Sequence, residues 1–408
     1  MSSILNLRGV NPMILKQQIC DEIENIEKEL VDLSKKIHEK PELAFHEYSA
    51  AKNILLLLEK HGFNIKKGIA NLETAFRAEY NGKGKGPTIA FLAEYDALPE
   101  IGHGCGHNLI GTMSVGAAIG LSKIADKIDG KIVVLGTPGE EGGGGKVIMV
   151  NEGVFDDIDY AMMIHPSTSN IICRGGLATR KLTIEYHGKS AHSSSPEDGI
   201  NALQAVINTF NFIDHIRAIL PLKSNINGII TNGGNAPNVI PDYASCSFSV
   251  RADTVSDLKI VVEHIEHIVK TIEKLMGVKA DISKTLIYTE RYPNKIIAEK
   301  LKENIAQFGE VMNYPKPNMK YGSSDIGNVS LIVPSIHSYL KIAEPGTISH
   351  SIDFTKAAIT DDAHIQMIKG AKALALTGFD IFSDEKLRQD IYEEFHRTVP
   401  KYNKSDLE

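Results

Sequence analysis

Five side chains that can bind a metal ion or move a proton lie within a stretch of 14 residues: Glu94, Asp96, His103, Cys105 and His107. Glycines alternate with the last three, which frees the backbone to turn these side chains toward one point. A thiolate and an imidazole two residues apart offer half of a metal site, although this spacing by itself matches no specific zinc motif. The alternative is a glycine-rich loop with an incidental cysteine, and the stretch alone does not decide between the two.

Further ligand-type side chains follow other predicted strands, and the whole set is Cys105, His107, Glu140, Glu141, His165 and His350. Apolar segments that predict buried strands precede most of them, at residues 87–93, 131–135 and 160–164. In open α/β sheets, ligands collect at the carboxyl ends of the strands. We therefore expect these residues to lie at one edge of a single sheet.

The number and kind of ligands predict two metal ions close together, because even five of these six residues exceed what one tetrahedral ion needs. Imidazole and carboxylate suit zinc or manganese, and a thiolate favours zinc. Adjacent glutamates on a tight turn point in different directions. One of Glu140 and Glu141 can therefore bind metal while the other takes a proton from an activated water and passes it to a leaving amine. The ordinary alternatives are a solvated glutamate pair and, at His165, a histidine that merely ends a strand.

Size and composition limit the possible classes of protein. A chain of 408 residues predicts two domains, and 42% hydrophobic with 23% charged residues is typical of a globular protein. The formal charge of -7 argues against nucleic acid or an anionic membrane as the main partner. The chain lacks an 18-residue apolar run and a signal-peptide pattern at its start, and four cysteines suggest reduced thiols. A cytoplasmic location is the expectation.

The order of predicted elements indicates an α/β fold with a mainly parallel sheet, interrupted by a separate α+β domain. Helices are predicted at residues 21–39, 47–62, 111–124, 201–219, 255–276, 294–308 and 355–377. Other strands are predicted at residues 73–80, 178–187, 227–232, 244–252, 280–289 and 335–341. We expect a discontinuous catalytic domain, residues 1–177 and 293–408, with a ferredoxin-like domain of residues 178–292 inserted into it.

Eight segments together resemble one known family. They read IHEKPELAFHEYSA, EYDALPEIGHGCGHNLIG, GTPGEEGGGGK, MMIHPS, GKSAHSSSPEDGINAL, NGGNAPNVIPDYASCSFSVR, YGSSDIGNVS and PGTISHS, and they follow the family's order from residue 37 to residue 350. The family is the aminoacylase/carboxypeptidase group of two-metal metallohydrolases, peptidase family M20. Within its amidohydrolase branch, the chain is most similar to the subgroup of aminobenzoyl-glutamate hydrolase and the aminoacylase-like dipeptidases.

The resemblance implies a role for each matching residue. The implied ligands of a two-metal site are Cys105, His107, Glu141, His165 and His350. Glu140 would be the general base, and Asp96 the acid that supports the site. In the inserted lid and dimerisation domain, His192 would reach the active site of a neighbouring subunit in a homodimer and stabilise the oxyanion. Asn238 and Arg251 would meet the substrate carboxylate.

Three departures from the family pattern affect these assignments. Glu94 stands where most members outside this branch have a histidine, which leaves the metal affinities open. The usual GSED element is here Gly-Ser-Ser-Asp, residues 322–325, so the role of Asp325 is open. The sequence around His350 differs from the common form, which makes His350 the least secure ligand.

The predicted function is a metal-dependent amidohydrolase that cleaves the amide bond of N-acyl amino acids or small dipeptides with a free carboxylate. Two divalent ions per chain, zinc or manganese, are its predicted cofactors, and nucleic acid and membranes are not expected partners. One alternative is an aminopeptidase of the same fold, which would need an acid to pair with the substrate's free amine. The other is a catalytically degenerate member of the family that acts as a binding protein.

Overall fold

A computed structural model describes residues 11–317, 319–403 and 406–407. The chain forms two compact units. The first comprises the described residues of Met1–Gly175 and Arg291–Lys401, and the second those of Gly176–Glu290 and Tyr402–Glu408. Because the second unit interrupts the first, the first unit is built from two separate segments of sequence.

The helices are α1 (Pro12–Asn25), α2 (Glu27–Glu39), α3 (Tyr48–Lys60), α4 (His107–Ser122), α5 (Gly145–Asn151), α6 (Ala202–Ile216), α7 (Val255–Met276), α8 (Lys295–Ala306), α9 (Ile326–Ser330), α10 (Ile352–Ala357), α11 (Asp361–Ser383) and α12 (Glu385–Thr398). The strands are β1 (Asn64–Lys67), β2 (Phe76–Asn81), β3 (Thr88–Ala93), β4 (Lys131–Gly136), β5 (Tyr160–Ser167), β6 (Ala178–His187), β7 (Ala191–His192), β8 (Asn225–Asn232), β9 (Val239–Ile240), β10 (Tyr243–Ala252), β11 (Lys279–Lys284) and β12 (Ser335–Lys341).

The sheet of the first unit is mainly parallel, which confirms the predicted fold class. Among the described residues its strands follow the order β1-β2-β4-β3-β5-β12. Strand β4 pairs in parallel with β3, β3 with β5, and β5 with β12, whereas β1 and β2 are antiparallel additions at one edge. The carboxyl ends of four neighbouring strands therefore lie along one edge of the sheet, where loops can carry ligands.

Helix α4 packs at the centre of the first unit. Every residue from His107 to Leu121 is buried, as expected for a helix that is apolar on all sides. Small residues allow this close packing: a Cβ at Gly120 would lie 2.6 Å from Cγ1 of Ile23 on α1, and one at Gly116 would lie 2.9 Å from Cδ1 of Leu30 on α2. The glycines of α4 thus let the neighbouring helices approach its backbone.

Several predicted elements need correction. The helix predicted at residues 21–39 begins earlier, at Pro12, and is divided into α1 and α2 at the buried Ile26. The helix predicted at 355–377 is likewise two helices, α10 and α11, because Thr360 caps the start of the second. Strand β1 was not predicted, and β4 lies between β2 and β3 in the sheet. These differences are set by tertiary packing, which periodicity along the chain does not report.

The second unit has its own antiparallel sheet, in the order β11-β6-β10-β8, and its own hydrophobic core. Helix α7 contributes a buried stripe to this core, begins at the Thr254 cap and ends at Gly277 in the left-handed conformation. The observed limits of β6 and α7 are those predicted. Across the described residues of both units, all helices are too short or too polar to cross a membrane.

The loop between β4 and α5 carries the two adjacent glutamates and is fixed by the side chain of Phe45. A Cβ at Gly143 would lie 2.1 Å from the Phe45 ring, closer than any real contact. Glu47 holds the other side of the loop, because its carboxylate accepts a hydrogen bond of 2.9 Å from the amide of Gly139. Glycine at position 143 is therefore a packing requirement of this loop.

We expect Gly143→Ala to lower the free energy of unfolding by about 1–3 kcal/mol, the usual cost of forcing an extra methyl group into a packed site. Gly142→Ala is the matched control, since nothing lies within 4 Å of a Cβ built there. Its free energy of unfolding should change by less than about 0.5 kcal/mol. Urea denaturation of both variants measures the difference, and equal values for the two would contradict the packing argument.

Candidate metal centre

The sequence-predicted ligands come together at the carboxyl edge of the parallel sheet in the first unit. Cys105 and His107 lie at the start of α4, which follows β3. Glu141 lies in the loop after β4, and His165 lies near the end of β5. His350 lies between β12 and α10, where its amide donates a 3.0 Å hydrogen bond to the carbonyl of Gly104. That bond places His350 beside the cysteine loop even though the two segments are far apart in sequence.

Among the described residues, ligand atoms form three groups of three, and two of these groups share Cys105. The third group consists of His107, Glu140 and Glu141. In the first group the ligand atoms of Cys105, His107 and His165 lie within 4.8 Å of one another, and in the second those of Cys105, Glu141 and His350 do so. The Sγ atom of Cys105 is 2.9 Å from Nε2 of His350. Thiolate, imidazole and carboxylate are all ligands of divalent transition metals, so the arrangement suits metal binding.

Asp96 contacts one residue in each of the two groups that contain Cys105. Its Oδ1 atom accepts a hydrogen bond of 2.9 Å from Nδ1 of His107, and its Oδ2 atom accepts one of 2.9 Å from the amide of Glu141. A carboxylate on the far nitrogen of a histidine is the usual support for a metal ligand, because it leaves the other nitrogen unprotonated toward the ion. Although burial opposes the charge, the Asp96 carboxylate raises the pKa of His107 well above its ordinary value in the metal-free chain.

Buried polar atoms that lack a hydrogen-bond partner indicate where a metal ion would bind. Among the described residues, such atoms include Nε2 of His107, Oε1 of Glu141 and Oε2 of Glu94. Nδ1 of His165 donates to the carbonyl of Pro166 at 2.6 Å, so Nε2 remains as its ligand atom. A buried polar atom without a partner lowers the stability of a protein. Here such atoms belong to the predicted ligands His107 and Glu141 and to their neighbour Glu94. The residues therefore fit a metal centre.

The adjacent glutamates differ in their surroundings. Oε1 of Glu141 lies 3.5 Å from Nε2 of His350 and 3.9 Å from Nε2 of His107, at the junction of the two ligand groups. Burial, followed by the charges of Glu141, Glu94 and Asp325, raises the pKa of Glu140 well above its ordinary value. Glu140 thus lies next to the ligand atoms in surroundings that favour its protonated form.

Lys146 is a buried residue of the site that sequence reasoning missed. Its ammonium group is fully buried and donates to Oε1 of Glu94 at 2.5 Å and to Oδ1 of Asp325 at 2.8 Å. Its backbone amide also donates to Asp325. The only signal in the sequence was a lysine directly after the glycine run, and its partners lie 52 and 179 residues away. The aspartate of the Gly-Ser-Ser-Asp element is therefore a partner of this lysine.

Glu94 links the lysine to the predicted ligands. Its second carboxylate oxygen, Oε2, lies 3.5 Å from Nε2 of His107. Burial opposes ionisation of Glu94, but Lys146, His107 and His165 together outweigh burial and lower the pKa of its carboxyl. His103, in the same loop, has a different role: its Nε2 bonds the carbonyl of Ile37 at 3.1 Å and its ring stacks on His38. His103 thus anchors the loop and does not join the ligand groups.

The remaining predicted site residues lie in the second unit. His192 is exposed in β7, and its Nδ1 atom is 2.8 Å from Oγ of Ser194. Asn238 lies close to it, since its carbonyl accepts a hydrogen bond from the amide of Ser193. Arg251 lies at the end of β10 in register with Thr179. Within this unit the structure places His192 and Asn238 together, and Arg251 on another strand.

Comparison with known proteins gives consistent results. Residues 174–276 match the family described as peptidase dimerisation domain. An Xaa-Arg dipeptidase of Mus musculus is 34% identical over 94% of this chain and 92% of its own length. One subunit of the p-aminobenzoyl-glutamate hydrolase of Escherichia coli is 27% identical, over 94% of this chain and 97% of its own length. A dinuclear metal binding peptidase of the M20 family from Bacillus subtilis has the same fold, with a TM-score of 0.66, 20% identity and coverage of 88% of this chain and 99% of that one.

We expect Lys146→Met to lower the free energy of unfolding by about 3–5 kcal/mol, because it leaves two buried carboxylates without their cation. Lys356→Met is the matched control: this lysine is exposed, and its partner Asp353 is also exposed. The control should change stability by less than about 0.5 kcal/mol. Denaturant unfolding of both variants is the measurement. A stable Lys146→Met protein would show that the carboxylates are neutral without the lysine.

Proposed function

The chain belongs to the M20 family of peptidases and amidohydrolases, and from this premise we propose that it is a metal-dependent amidohydrolase acting on N-acyl amino acids or small dipeptides with a free carboxylate. The observation that carries the proposal is the pair of ligand groups that share Cys105, with Glu140 beside them. Hydrolysis of an amide needs an activated water, a charge stabiliser and a proton carrier, and these residues can supply or hold all three.

The relatives support this class of substrate. Their names describe an Xaa-Arg dipeptidase and a p-aminobenzoyl-glutamate hydrolase. In both of those substrates the residue that supplies the amide nitrogen also carries a free α-carboxylate. We take that shared feature, rather than either side chain, as the substrate class of this chain.

Two divalent ions, zinc or manganese, are the proposed cofactors, one held by Cys105, His107 and His165 and the other by Cys105, Glu141 and His350. When bound, such ions polarise the scissile carbonyl and make a water acidic enough to attack at neutral pH. The thiolate among the ligands favours zinc. The dinuclear centre of the Bacillus subtilis structure supports the number of ions.

Glu140 is the proposed proton carrier. Its carboxyl lies with His107 and Glu141 in one of the ligand groups, where it can take a proton from a water and give it to a leaving nitrogen. Glu140 first accepts the proton of the attacking water and then gives it to the amine as the amide bond breaks. Asp96 keeps His107 and Glu141 in place throughout, since it bonds both of them.

The second unit supplies the proposed oligomer. The match to a peptidase dimerisation domain supports a homodimer built through this unit. His192 is exposed there, which leaves it accessible to a neighbouring chain, and we propose that it stabilises the oxyanion in the neighbour's site. Asn238 and Arg251 remain proposed contacts of the substrate, and the cytoplasmic location remains a prediction.

The proposed function is tested with a panel of N-acyl amino acids and dipeptides, each with its C-terminal carboxamide as a control. We expect the purified protein to carry two divalent ions per chain by elemental analysis and to hydrolyse carboxylates of the panel. A chelator should abolish turnover, and added zinc or manganese should restore it. Protein with two ions that hydrolyses nothing in the panel would contradict the proposed activity, and protein with one ion or none at full occupancy would contradict the two-metal site.

The roles of the adjacent glutamates are separable by substitution. We expect Glu140→Gln to keep two ions and to lose at least about 10²-fold in turnover, the usual contribution of a general acid–base. Glu141→Gln should instead lower the metal content, because it removes a charged ligand from the second group. Elemental analysis and steady-state rates on the same preparations give both readouts. The opposite pattern would show that the two roles are reversed.

Mixing two inactive proteins tests the shared site of the homodimer. His192→Ala and Glu140→Gln, combined under conditions that exchange subunits, should recover a sizeable fraction of wild-type activity, because each mixed dimer contains one intact site. Loss of an oxyanion contact costs about 10²–10³-fold, so each parent is inactive enough for recovery to be seen. Native mass spectrometry checks that exchange occurred, and an inactive mixture with proven exchange would remove His192 from the neighbour's site.

A further inference from the structure

A cluster of cationic and aromatic side chains lies next to the candidate metal ligand His165 in the first unit. Its members are Arg174, Arg291, His337 and Tyr339, which we call the arginine cluster. Strand β12 presents His337 and Tyr339 on one face, since alternate residues of a strand point the same way. Parallel pairing with β5 sets Tyr339 opposite His165, so that both strands direct these side chains toward the same side of the sheet.

The cluster directly contacts the metal ligand. The ring centroid of His165 lies 5.3 Å from that of His337 and 5.4 Å from that of Tyr339, and the rings of His337 and Tyr339 are stacked at 4.9 Å. Arg174 covers the Tyr339 ring with its guanidinium 4.6 Å from the centroid. Arg291 donates to the Tyr339 hydroxyl at 2.9 Å. A ligand held here would therefore lie beside the reacting bond of a substrate at the metal centre.

The two guanidinium groups have no counter-charge within the described part of the chain. Arg291 is 7% exposed, and neither Arg291 nor Arg174 forms an ion pair with a described carboxylate. The Nε atoms of both arginines are buried without a hydrogen-bond partner, and so are both ring nitrogens of His337, which is 3% exposed. Buried charges in proteins are paired almost without exception, because an unpaired one is costly. An anion that accepts several hydrogen bonds would supply the missing partner.

We propose that the arginine cluster is the subsite for the α-carboxylate of the substrate. A carboxylate fits the planar donor fork of a guanidinium, and the unpartnered nitrogens on three side chains provide donors for its two oxygens. The α-carboxylate is separated from the scissile carbonyl carbon by only the amide nitrogen and the α-carbon, which matches a subsite in contact with a metal ligand. An acidic side chain would place its charge farther away. Arg174 is only partly buried, which leaves the cluster open to an incoming ligand.

This inference rests on the proposed function, since it names the group that the hydrolase recognises. It assigns recognition of the carboxylate to residues of the first unit, in addition to the second-unit contacts proposed at Asn238 and Arg251. It also explains why Arg291 and Arg174 are kept near each other despite their like charges. A bound carboxylate would compensate both of them.

The test compares substrates that differ only in charge. The best substrate of the panel and its C-terminal carboxamide are assayed with wild type, Arg291→Gln, Arg291→Lys and Arg174→Gln. We expect each Gln variant to lose roughly 10- to 100-fold in kcat/KM on the carboxylate, the range for hydrogen bonds to a charged group, and less than about threefold on the carboxamide. Arg291→Lys should retain part of the preference, because it keeps the charge and loses the fork. Arg217→Gln is the control, since Arg217 is exposed and pairs with Asp214.

A second pair of substrates distinguishes an α-carboxylate from the carboxylate of an acidic side chain. Substrates that release glutamate or glutamine have the same α-carboxylate and differ only in the side chain. The Arg291 and Arg174 variants should lower kcat/KM on both by the same factor. A loss confined to the glutamate substrate would overturn the assignment to the α-carboxylate, and equal losses on carboxylate and carboxamide would show that the cluster is structural.

A binding measurement keeps the subsite testable whether or not turnover is found. Calorimetric titration of the purified protein with N-acetylglycine and with N-acetylglycinamide should show binding of the carboxylate alone, weakened roughly 10- to 100-fold by Arg174→Gln. Arg174→Gln is the variant of choice here because its side chain is only partly buried, so it should fold even if Arg291→Gln does not. If no substrate of the panel is hydrolysed but N-acetylglycine still binds, the proposed activity is rejected and the carboxylate subsite is not. If N-acetylglycine and N-acetylglycinamide bind equally well, or if Arg174→Gln leaves the affinity for N-acetylglycine unchanged, the subsite is rejected.

Discussion

The whole site depends on the carboxylate of Asp96 and the two hydrogen bonds that it accepts. One bond holds the imidazole of His107 at the start of α4, and the other holds the backbone of Glu141 in the loop after β4. A single buried side chain at the end of β3 thus sets the relative position of two segments that bring ligands from different parts of the sheet. Asp96 is fully buried, so its negative charge is stable only with both hydrogen-bond donors in place. The segments that carry His107 and Glu141 therefore stabilise the carboxylate that positions them.

Around this carboxylate the interior contains an unusual amount of negative charge. Glu94, Glu140, Glu141 and Asp325 all lie close enough to influence one another, and Lys146 is the buried cation among them. An interior with so many acids is stable only where cations compensate them. Lys146 pairs with Oε1 of Glu94 and Oδ1 of Asp325. Oε2 of Glu94 and Oε1 of Glu141 have no hydrogen-bond partner and lie 3.5 and 3.9 Å from Nε2 of His107, where metal cations would compensate their charge.

Much of the fold and the ligand set could be predicted because the signals are local. Strands β6 and β12 and helix α7 have the limits that periodicity and caps predicted. Motif order identified the residues of both ligand groups, and the family to which the chain belongs is the one that the motifs resembled. The break between α1 and α2 was missed because Ile26 is an ordinary buried residue, with no glycine or proline to mark it.

The part of the site that could not be predicted is held together by contacts between distant segments. Lys146 looks like a solvated lysine after a glycine run, and only the fold brings it to Glu94 and Asp325. The arginine cluster was missed for the same reason. Arg174 and Arg291 lie far apart in the chain. Charge pairing across such distances leaves no pattern in the sequence around either residue.

The sharing of Cys105 has a consequence for the order in which the site is assembled during synthesis. The ligands of the first group all lie between residues 105 and 165, whereas His350 follows Cys105 by 245 residues. A nascent chain therefore contains the complete first group long before the ribosome has added the last ligand of the second. The cysteine that both groups share is therefore made long before His350. The late segment, with His350 in a left-handed backbone conformation, must then pack beside the cysteine loop, and the first unit is complete only when it has done so.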